Sequence, residues 1–402
     1  MRFRRDRLLA PSLPRRVRWA RARALDIAEA GLRAVDAEHA TRETLRRAPV
    51  EGPVTLIAFG KASVPMARAA LGEADVQGGL VVALDPSGVS LGDLEVRLGG
   101  HPDPAPNAVA TGRRVAELAG SLGPDDQALC LISGGGSAML ELPRQGIALE
   151  TIHDARHTLM RAGAPIDVLN TVRASLSQIK GGGLARMVAP ARLRTLVLSD
   201  VPGRPLSCVA SGPTMGLSGP PLAQIAATYG LTLPSAACAP RMLPSPPSVS
   251  LVADHRSARD AVRAAARDRG LSLQDRPGVF EGEARVLGGR LRGGGWVWGG
   301  ETTVVVRGGG RGGRNQEVAL AALLSGWSSS VLLAFGTDGV DGTSAAAGAL
   351  VDAQAVKDAS GLEPARALAD NDSSGFFERL GTALHCGPTG TNVADLLLSI
   401  PD

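Results

Sequence analysis

Short apolar segments alternate with amphipathic segments along most of the chain. The apolar runs Val54–Gly60, Ala128–Ser133 and Thr195–Ser199 are nearly continuous, as in strands that are buried on both faces of a parallel sheet. Stretches with helical spacing lie between them, for example Asn107–Leu122 and Leu149–Gly163. This alternation predicts a doubly wound, Rossmann-like α/β/α domain in the first half of the chain.

A proline-rich segment then interrupts the pattern. The segment from position 234 to position 248 contains five prolines, namely Pro234, Pro240, Pro244, Pro246 and Pro247. Proline is excluded from helix interiors and central strands. We therefore expect a linker at about residues 238–247, between an N-terminal domain of residues 1–237 and a C-terminal domain of residues 248–402. Strand-like and helix-like segments resume after the linker, which predicts a smaller α/β domain.

Three local predictions bear on the candidate sites. Helical spacing covers Asp167–Ile179, and strands are expected in residues 296–307, whose sequence is WVWGGETTVVVR. The polar loop Gly387–Asn392 is expected to precede a last helix.

Composition excludes other classes of protein. The chain has 402 residues, of which 44% are hydrophobic and 20% charged, and a net charge of +4, which is typical of a soluble globular protein and does not suggest nucleic-acid binding. It contains no run of about 18 apolar residues, and its basic N-terminal segment lacks the apolar core of a secretory signal, although a transit peptide stays an alternative. The four cysteines are far apart without a C-x-x-C pair, so we expect reduced thiols and a cytoplasmic location.

A glycine-rich turn follows the predicted strand Ala128–Ser133. Ligands of open α/β sheets bind at the carboxyl ends of strands, and glycines let backbone N–H groups approach a phosphate. A helix that starts after this turn would add the attraction of its N-terminus. The alternative is an ordinary tight turn. We assign phosphate binding to Ser133, Gly134, Gly135, Gly136 and Ser137.

Two charged residues also follow predicted strands. Lys61, one of only three lysines in the chain, comes directly after Val54–Gly60, where an ammonium can contact a transferred phosphoryl group. Its surroundings are not a Walker A loop, and a surface lysine is the alternative. Asp200 follows Thr195–Ser199, where a carboxylate can bind Mg²⁺ or accept the proton of a hydroxyl group. Aspartate is also a common turn residue.

A polar stripe is predicted on the helix that begins near Asp167. Asn170, Arg173, Ser177 and Lys180 are three or four residues apart, so a helix would place them on one face. Such a face, ending at a triple glycine, could bind an anionic ligand, or it could be a solvated surface. We assign Asn170 and Arg173 to the substrate, and phosphate binding to Lys180 and to the first glycine, Gly181.

The second half of the chain has two further polar, glycine-rich segments. Gly308–Asn315 contains two arginines, and arginine binds phosphate or carboxylate through two parallel hydrogen bonds. A flexible loop tip is the alternative. We assign Asn315 to the substrate. Gly336–Gly342 follows an apolar run, and its aspartates, Asp338 among them, suit a site for metal and phosphate, although the spacing is not that of an EF-hand.

Taken together, these motifs resemble the class II glycerate 2-kinase family. The matching stretches, in family order, are AFGKAS, SGGGSAML, LNTVRASLSQIKGGGLA, SDVPG, ASGPT, GGETTV, GRGGRNQE, GTDGVDG, NDSS and GPTGTNVADL. The resemblance implies an ATP- and Mg²⁺-dependent kinase that converts D-glycerate to 2-phosphoglycerate in a cleft between two α/β domains, the second of MOFRL type. It implies small-molecule ligands, with no nucleic acid or membrane, and leaves a homodimer open.

The resemblance also assigns roles to individual residues. It implies that Lys61 and Arg314 stabilise the transferred phosphoryl group and that the Ser133–Ser137 loop holds nucleotide phosphate. Asp200, as base or metal ligand, and Asp338, as metal ligand, are our own assignments. Phosphoryl transfer requires mainly positioning and charge neutralisation, for which these groups with Mg²⁺ suffice.

Some positions depart from the family pattern and keep two alternatives open. Arg204 and Pro205 replace a usual pair of aspartates, residues 343–345 replace Pro-Thr-Asp, and Ser374 replaces the tyrosine of NDSY. Fewer acidic groups favour a non-catalytic relative that binds a nucleotide or sugar acid. The other alternative is an NAD(P)H-dependent hydroxypyruvate reductase. It would require G-x-G-x-x-G after a strand with an acidic residue about 20 positions later, a combination that is absent.

Overall fold

The computed structural model describes residues 1–101, 103–217, 219–240, 243 and 247–401. The chain divides into two compact units. One, the inserted unit, is the continuous segment Ala37–Val252. The other, the split unit, consists of Met1–Asp36 together with Ala253–Asp402.

The helices and strands alternate along most of the chain. In chain order they are α1 (Arg15–Ala34), α2 (Ala37–Arg47), β1 (Pro53–Phe59), α3 (Ser63–Glu73), β2 (Asp75–Ala83), β3 (Glu95–Leu98), α4 (Pro106–Gly120), β4 (Gln127–Ile132), α5 (Gly136–Met139), α6 (Leu149–Arg161), α7 (Ile166–Leu176), α8 (Gly183–Val188), β5 (Arg192–Leu198), α9 (Leu222–Tyr229), β6 (Ser248–Ala253), α10 (His255–Arg267), β7 (Gln274–Asp275), α11 (Ala284–Arg290), β8 (Trp296–Gly300), α12 (Arg314–Leu324), β9 (Val331–Gly336), β10 (Gly348–Val351), α13 (Ala353–Asp358), α14 (Pro364–Ala369), α15 (Ser373–Leu380), β11 (Ala383–Leu384) and β12 (Asp395–Ile400). A 3₁₀ segment, Leu206–Ser211, follows β5.

The inserted unit contains a six-stranded sheet in the order β3-β2-β1-β4-β5-β6. The pairs from β3 to β5 are parallel. Apolar side chains of the central strands, such as Ile57, Phe59, Cys130 and Ile132, are fully buried, which explains the continuous apolar runs in the sequence. The doubly wound fold is therefore confirmed. From β1 the chain adds strands towards one edge of the sheet, and from β4 towards the other edge. Ligands of such folds bind at this switch point, between β1 and β4.

The split unit contains a second six-stranded sheet, in the order β11-β10-β9-β12-β8-β7. Its described pairs are antiparallel, except for the parallel pair β7–β8. The prediction of a last helix after Gly387–Asn392 was wrong, because Asp395–Ile400 is strand β12, buried along its whole length between β8 and β9. Strands predicted in residues 296–307 end at Gly300, and β10 was not predicted.

The domain division differs from the one that we expected from the sequence. Helix α1 packs against α10 and β9, which places residues 1–36 in the split unit rather than in a domain of residues 1–237. Buried Arg21 donates to both carboxylate oxygens of Asp352, at 2.7 and 3.0 Å. The boundary also falls after Val252, because β6 extends the first sheet. Of the predicted linker 238–247, residues 241, 242 and 244–246 lie outside the described residues.

Among the described residues, no helix combines the length and the apolar character needed to cross a membrane.

Candidate active site

The loops after β1 and β4 are tied to each other at the switch point of the sheet. Lys61 N–H donates to the Gly134 carbonyl at 2.8 Å, and Ala62 N–H donates to Ser133 Oγ at 3.0 Å. Gly60 has φ +113°, and a Cβ there would overlap Ser133, so this position requires glycine. Lys61 and the Ser133–Ser137 loop, each of which was predicted to follow a strand, therefore lie side by side.

Each glycine of this loop is required for a different reason. A Cβ on Gly134 would overlap the carboxylate of Asp200, and one on Gly135, which has φ +80°, would contact the Lys61 side chain. Gly136 packs closely against Phe59 and begins α5. Within the described part of the chain, the N–H groups of Gly134 and Gly135 donate to no backbone or side-chain acceptor. They remain available to an anion, although α5 is only a single short turn.

Asp200 lies directly over the glycine-rich loop. Its side chain is partly exposed, but the carboxyl group is largely desolvated. This burial raises the pKa of Asp200 to about 6, although its backbone hydrogen bond and the nearby ammonium of Lys61 act in the opposite direction. A carboxylate with such a pKa is ionised at neutral pH and can accept a proton. Asp200 and Lys61, each predicted to follow a strand, thus lie near each other.

Asn170 belongs to a chain of side-chain hydrogen bonds that reaches the same loop. Ser211 Oγ donates to Asn170 Oδ1 at 2.8 Å and lies 2.9 Å from Ser137 Oγ. Ala210 and Ser211 have φ values of 51° and 61°, a left-handed conformation that costs non-glycine residues about 1 kcal/mol or more each. Ser211 was not predicted; the ASGPT motif was its only signal. The Asn170 amide is therefore already engaged by Ser211 and by the Cys208 carbonyl, and it supports the glycine-rich loop.

The prediction that Asn170, Arg173, Ser177 and Lys180 share a helix face was wrong. Helix α7 ends at Leu176, because Ser177 adopts extended backbone angles. Lys180 is fully buried, and its Nζ lies 2.5 Å from Glu141 Oε2 and 3.3 Å from the Leu140 carbonyl. Burial lowers the pKa of Lys180, and Glu141 opposes this effect. An ammonium enclosed in this way does not reach a nucleotide phosphate.

Gly181 is also engaged within the protein. It has φ +57°, and its N–H donates to the Ser211 carbonyl at 3.0 Å. The adjacent Gly182 N–H donates to the Gly212 carbonyl at 2.7 Å. This triple glycine therefore packs against the ASGPT turn, and its predicted phosphate contact is replaced by a structural role.

Arg173 lines a small pocket beside the glycine-rich loop. The pocket is lined by Pro104, Ser137, Ala138, Glu141, Ile152, Arg156, Arg173 and Lys180. Burial lowers the pKa of Arg173 to about 10, and the neighbouring Arg156 adds to this effect. Arg156 is paired with Asp103, whereas the Arg173 guanidinium has no hydrogen bond or ion pair with any described residue. A desolvated, unpaired guanidinium favours an anionic ligand.

The second group of predicted residues lies in the split unit, around the start of α12. Arg314 donates through Nε and Nη2 to the two oxygens of Asp395, at 2.6 and 3.0 Å, and through Nη1 to Glu301 at 2.5 Å. Burial raises the pKa of Asp395 to about 6, and the nearby Arg314 opposes this effect. Burial lowers the pKa of Arg314, but Asp395 and Glu301 outweigh it, so this pKa is raised above its usual value. Asp395 was not predicted as a site residue, although it lies within the matching stretch GPTGTNVADL.

Asp341, rather than Asp338, contacts the first turn of α12. The buried carboxylate of Asp341 accepts the N–H groups of Asn315 and Gln316 at 3.0 and 2.8 Å, and burial raises its pKa to about 7. The Asn315 amide also donates to Asp341, at 3.3 Å, so it is buried and engaged rather than free for substrate. Asp338 is partly exposed and accepts Val340 N–H within its own turn.

The described residues contain no group of three or more His, Cys, Asp or Glu side chains that could hold a metal ion. Mg²⁺ in kinases is commonly bound by one or two carboxylates together with substrate phosphates and water. Asp200, partly exposed beside the open N–H groups of the glycine-rich loop, fits such a partial ligand set, and so does Asp338. Among the residues that the structure describes, no cage made only of protein ligands is formed.

The fold and these two loop clusters define an α/β protein with anion-binding groups at its strand ends. Residues 23–239 match a family model described as a domain of unknown function (DUF4147), and residues 295–395 match the MOFRL family. The chain belongs to this two-part family.

Relatives with known names cover nearly the whole chain. A D-glycerate 2-kinase of Thermotoga maritima is 36% identical over 94% of this chain and 97% of its own length. A putative hydroxypyruvate reductase of Agrobacterium vitis is 36% identical over 92% of each chain. The crystal structure of glycerate kinase from Thermotoga maritima superposes with a TM-score of 0.87 at 35% identity, covering 95% of this chain and 99% of that one.

Proposed function

We propose that this chain is an ATP-dependent D-glycerate 2-kinase that forms 2-phosphoglycerate in the cytoplasm. The observation that carries the proposal is the cluster of Lys61, Asp200 and the open N–H groups of Gly134 and Gly135 at the carboxyl ends of β1, β4 and β5. It combines a base, a cation and an anion-binding backbone, which are the parts that phosphoryl transfer requires. The kinases among the relatives support the choice of donor and acceptor.

In the proposed reaction, Asp200 accepts the proton of the 2-hydroxyl group of D-glycerate. The hydroxyl oxygen then forms a bond to the γ-phosphorus of ATP, while the bond from that phosphorus to the β,γ-bridging oxygen breaks and ADP leaves. Lys61 and the N–H groups of Gly134 and Gly135 neutralise charge on the transferred group. A pKa of about 6 keeps Asp200 ionised at neutral pH.

The acceptor carboxylate is assigned to Arg173. The guanidinium is desolvated and without a partner among the described residues, and the pocket that contains it also includes Ser137 of the glycine-rich loop. Arginine matches the planar geometry of a carboxylate through two parallel hydrogen bonds. A short hydroxy acid bound in this way would present its hydroxyl group towards the loop.

Arg314 is assigned to the same reaction as a group that stabilises the transferred phosphoryl. Asp395 occupies its Nε and Nη2 edge, and N–H bonds on Nη1 and Nη2 remain for a phosphate oxygen. When bound, Mg²⁺ would neutralise phosphate charge, and we assign Asp338 as a protein ligand, since Asp200 serves as the base.

The reductase alternative finds little support. Gly308–Gly313 spells G-x-G-x-x-G, but it follows no strand, and the N–H groups of residues 308–312 are all donated to acceptors within the split unit. A pyrophosphate would require such groups to be free. The non-catalytic alternative rests on the substituted acidic positions, and Asp200, Asp338 and Asp341 are retained in spite of them.

The test is ADP release from MgATP with D-glycerate, L-glycerate or no acceptor, beside NADH oxidation with hydroxypyruvate. We expect ADP release that depends on D-glycerate, and ³¹P NMR of the product should give 2-phosphoglycerate rather than the 3-phosphate. NADH oxidation without ADP release would replace the proposal with the reductase. Nucleotide binding without either reaction would support the non-catalytic relative.

A further inference from the structure

The glycine-rich segment Arg307–Gly313, the Gly loop, is held along its length by the rest of the split unit. Six consecutive N–H groups, those of residues 307–312, each donate to an acceptor outside the loop. The acceptors are Asn371 Oδ1 for 307 and 308, Asp370 Oδ1 for 309, the Asp370 carbonyl for 310, Asp372 Oδ1 for 311 and Thr343 Oγ1 for 312. The Gly loop is therefore neither a flexible tip nor an open anion nest.

The spacing of the glycines follows from this contact. A Cβ on Gly308 would overlap Asp370, one on Gly310 would lie about 2.5 Å from the Asp372 backbone nitrogen, and one on Gly312 would overlap Ser373. Gly309, by contrast, would have no atom within 4 Å of an added Cβ. The Gly loop thus requires glycine where it faces residues 370–373.

Asn371 connects the Gly loop to helix α12. Its φ of 56° is left-handed, a conformation that asparagine tolerates better than most residues. Its Oδ1 accepts the N–H groups of Arg307 and Gly308 at 2.6 and 3.0 Å, while its Nδ2 donates to Glu317 Oε1 at 2.5 Å. Glu317 is buried in the first turns of α12, the helix that begins with Arg314.

We infer that Asn371 is a positioning residue for Arg314. Its amide fixes the Gly loop on one side and α12 on the other, so that Arg314 is oriented before any ligand binds. This inference rests on the proposed function only for the role of Arg314 in phosphoryl transfer. The order of the Gly loop does not depend on that role and can be measured separately.

The first test replaces Asn371 with glycine, which keeps the left-handed backbone available and removes only the amide. We expect kcat for D-glycerate phosphorylation to fall about tenfold to a hundredfold with KM for D-glycerate unchanged, because misplacing a transition-state group reduces turnover rather than acceptor binding. Hydrogen exchange should accelerate at the N–H groups of residues 307–312, while exchange in the central strands stays at the wild-type rate.

The second test restores the bridge by exchanging its partners. Asn371→Asp places a carboxylate against Glu317 and should lower kcat. Glu317→Gln in that background supplies an amide donor for the new carboxylate, so the double variant should recover kcat and slow exchange. Rescue of this kind distinguishes positioning from a general loss of stability.

Two glycine variants serve as a matched pair. Gly310→Ala should disturb the Gly loop and lower kcat, whereas Gly309→Ala should leave both kcat and exchange unchanged. The inference would be overturned if Asn371→Gly kept the wild-type kcat and the wild-type exchange rates at residues 307–312. It would also be overturned if the double variant recovered neither kcat nor slow exchange. If wild-type protein lacks kinase activity but Asn371→Gly still accelerates exchange in the Gly loop, then the proposed function fails while the Gly-loop assignment stands.

Discussion

Replacing Asp200 with asparagine should separate activity from stability. The variant keeps the size of the side chain and removes its ability to accept a proton, so kcat should fall about 10²- to 10⁴-fold, the usual contribution of a general base. In the wild type, kcat/KM should rise with pH through about 6, where Asp200 ionises. The variant should lack this pH dependence.

The same substitution should lower activity but raise the stability of the folded protein at high pH. The pKa of Asp200 is raised from 3.8 to about 6 on folding, so its titration stabilises the folded state fully below pH 3.8, and this contribution is lost as pH rises through 6. A shift of about two pKa units corresponds to about 3 kcal/mol at most, and partial exposure reduces this figure. Asparagine carries no such charge, so the variant should be more stable than the wild type at pH 8.

The assay is thermal unfolding of both proteins at pH 4 and pH 8, beside initial rates from pH 5 to 9. We expect the variant to gain stability relative to wild type between the two pH values, with circular dichroism confirming the same fold. Equal destabilisation at both pH values, or a variant whose rate still rises through pH 6, would refute the assignment of Asp200 as a desolvated base.

Four further substitutions test the remaining assignments. Lys61→Ala should lower kcat by about 10²-fold or more, the scale of a lost transition-state charge contact, as measured by ADP release; Arg314→Lys, which keeps the charge beside buried Asp395, should lower kcat less than Lys61→Ala does. Arg173→Leu should raise KM for D-glycerate far more than KM for ATP, and equal effects on both would contradict a carboxylate contact. Gly134→Ala should displace the Asp200 carboxylate and lower kcat.

Sequence patterns predicted the first sheet well because its strands are buried on both faces. The runs at Ile57 and Cys130 are apolar whichever side chain is considered, so the strand signal is strong. The same reasoning placed Lys61, Asp200 and the SGGGS loop each at the end of a strand. The split unit was harder, because strand β12, with its sequence DLLLSI, resembles a buried helix segment when periodicity alone is considered.

Other features depended on tertiary contacts that no local pattern encodes. Lys180 has the helical spacing of a ligand-binding residue, but α7 ends before it and Glu141, 39 residues earlier, neutralises it. Asp395 lies 81 residues from Arg314, its partner. Gly308–Asn315 was interpreted as an anion site with two arginines or as a flexible loop tip, whereas its glycines allow close packing against residues 370–373.

The split unit has a consequence for how the chain folds during synthesis. Helix α1 is made before the inserted unit, yet its partner α10 is made only after the whole of that unit, a delay of tens of seconds at roughly 5–20 residues per second. Throughout this interval, Leu25, Ile27 and Leu32 of the helix, which are fully buried at the end, lack the surface that covers them. The inserted unit can meanwhile complete its own sheet from one continuous segment. The apolar face of α1 should therefore be a client for chaperones until α10 and β9 are made.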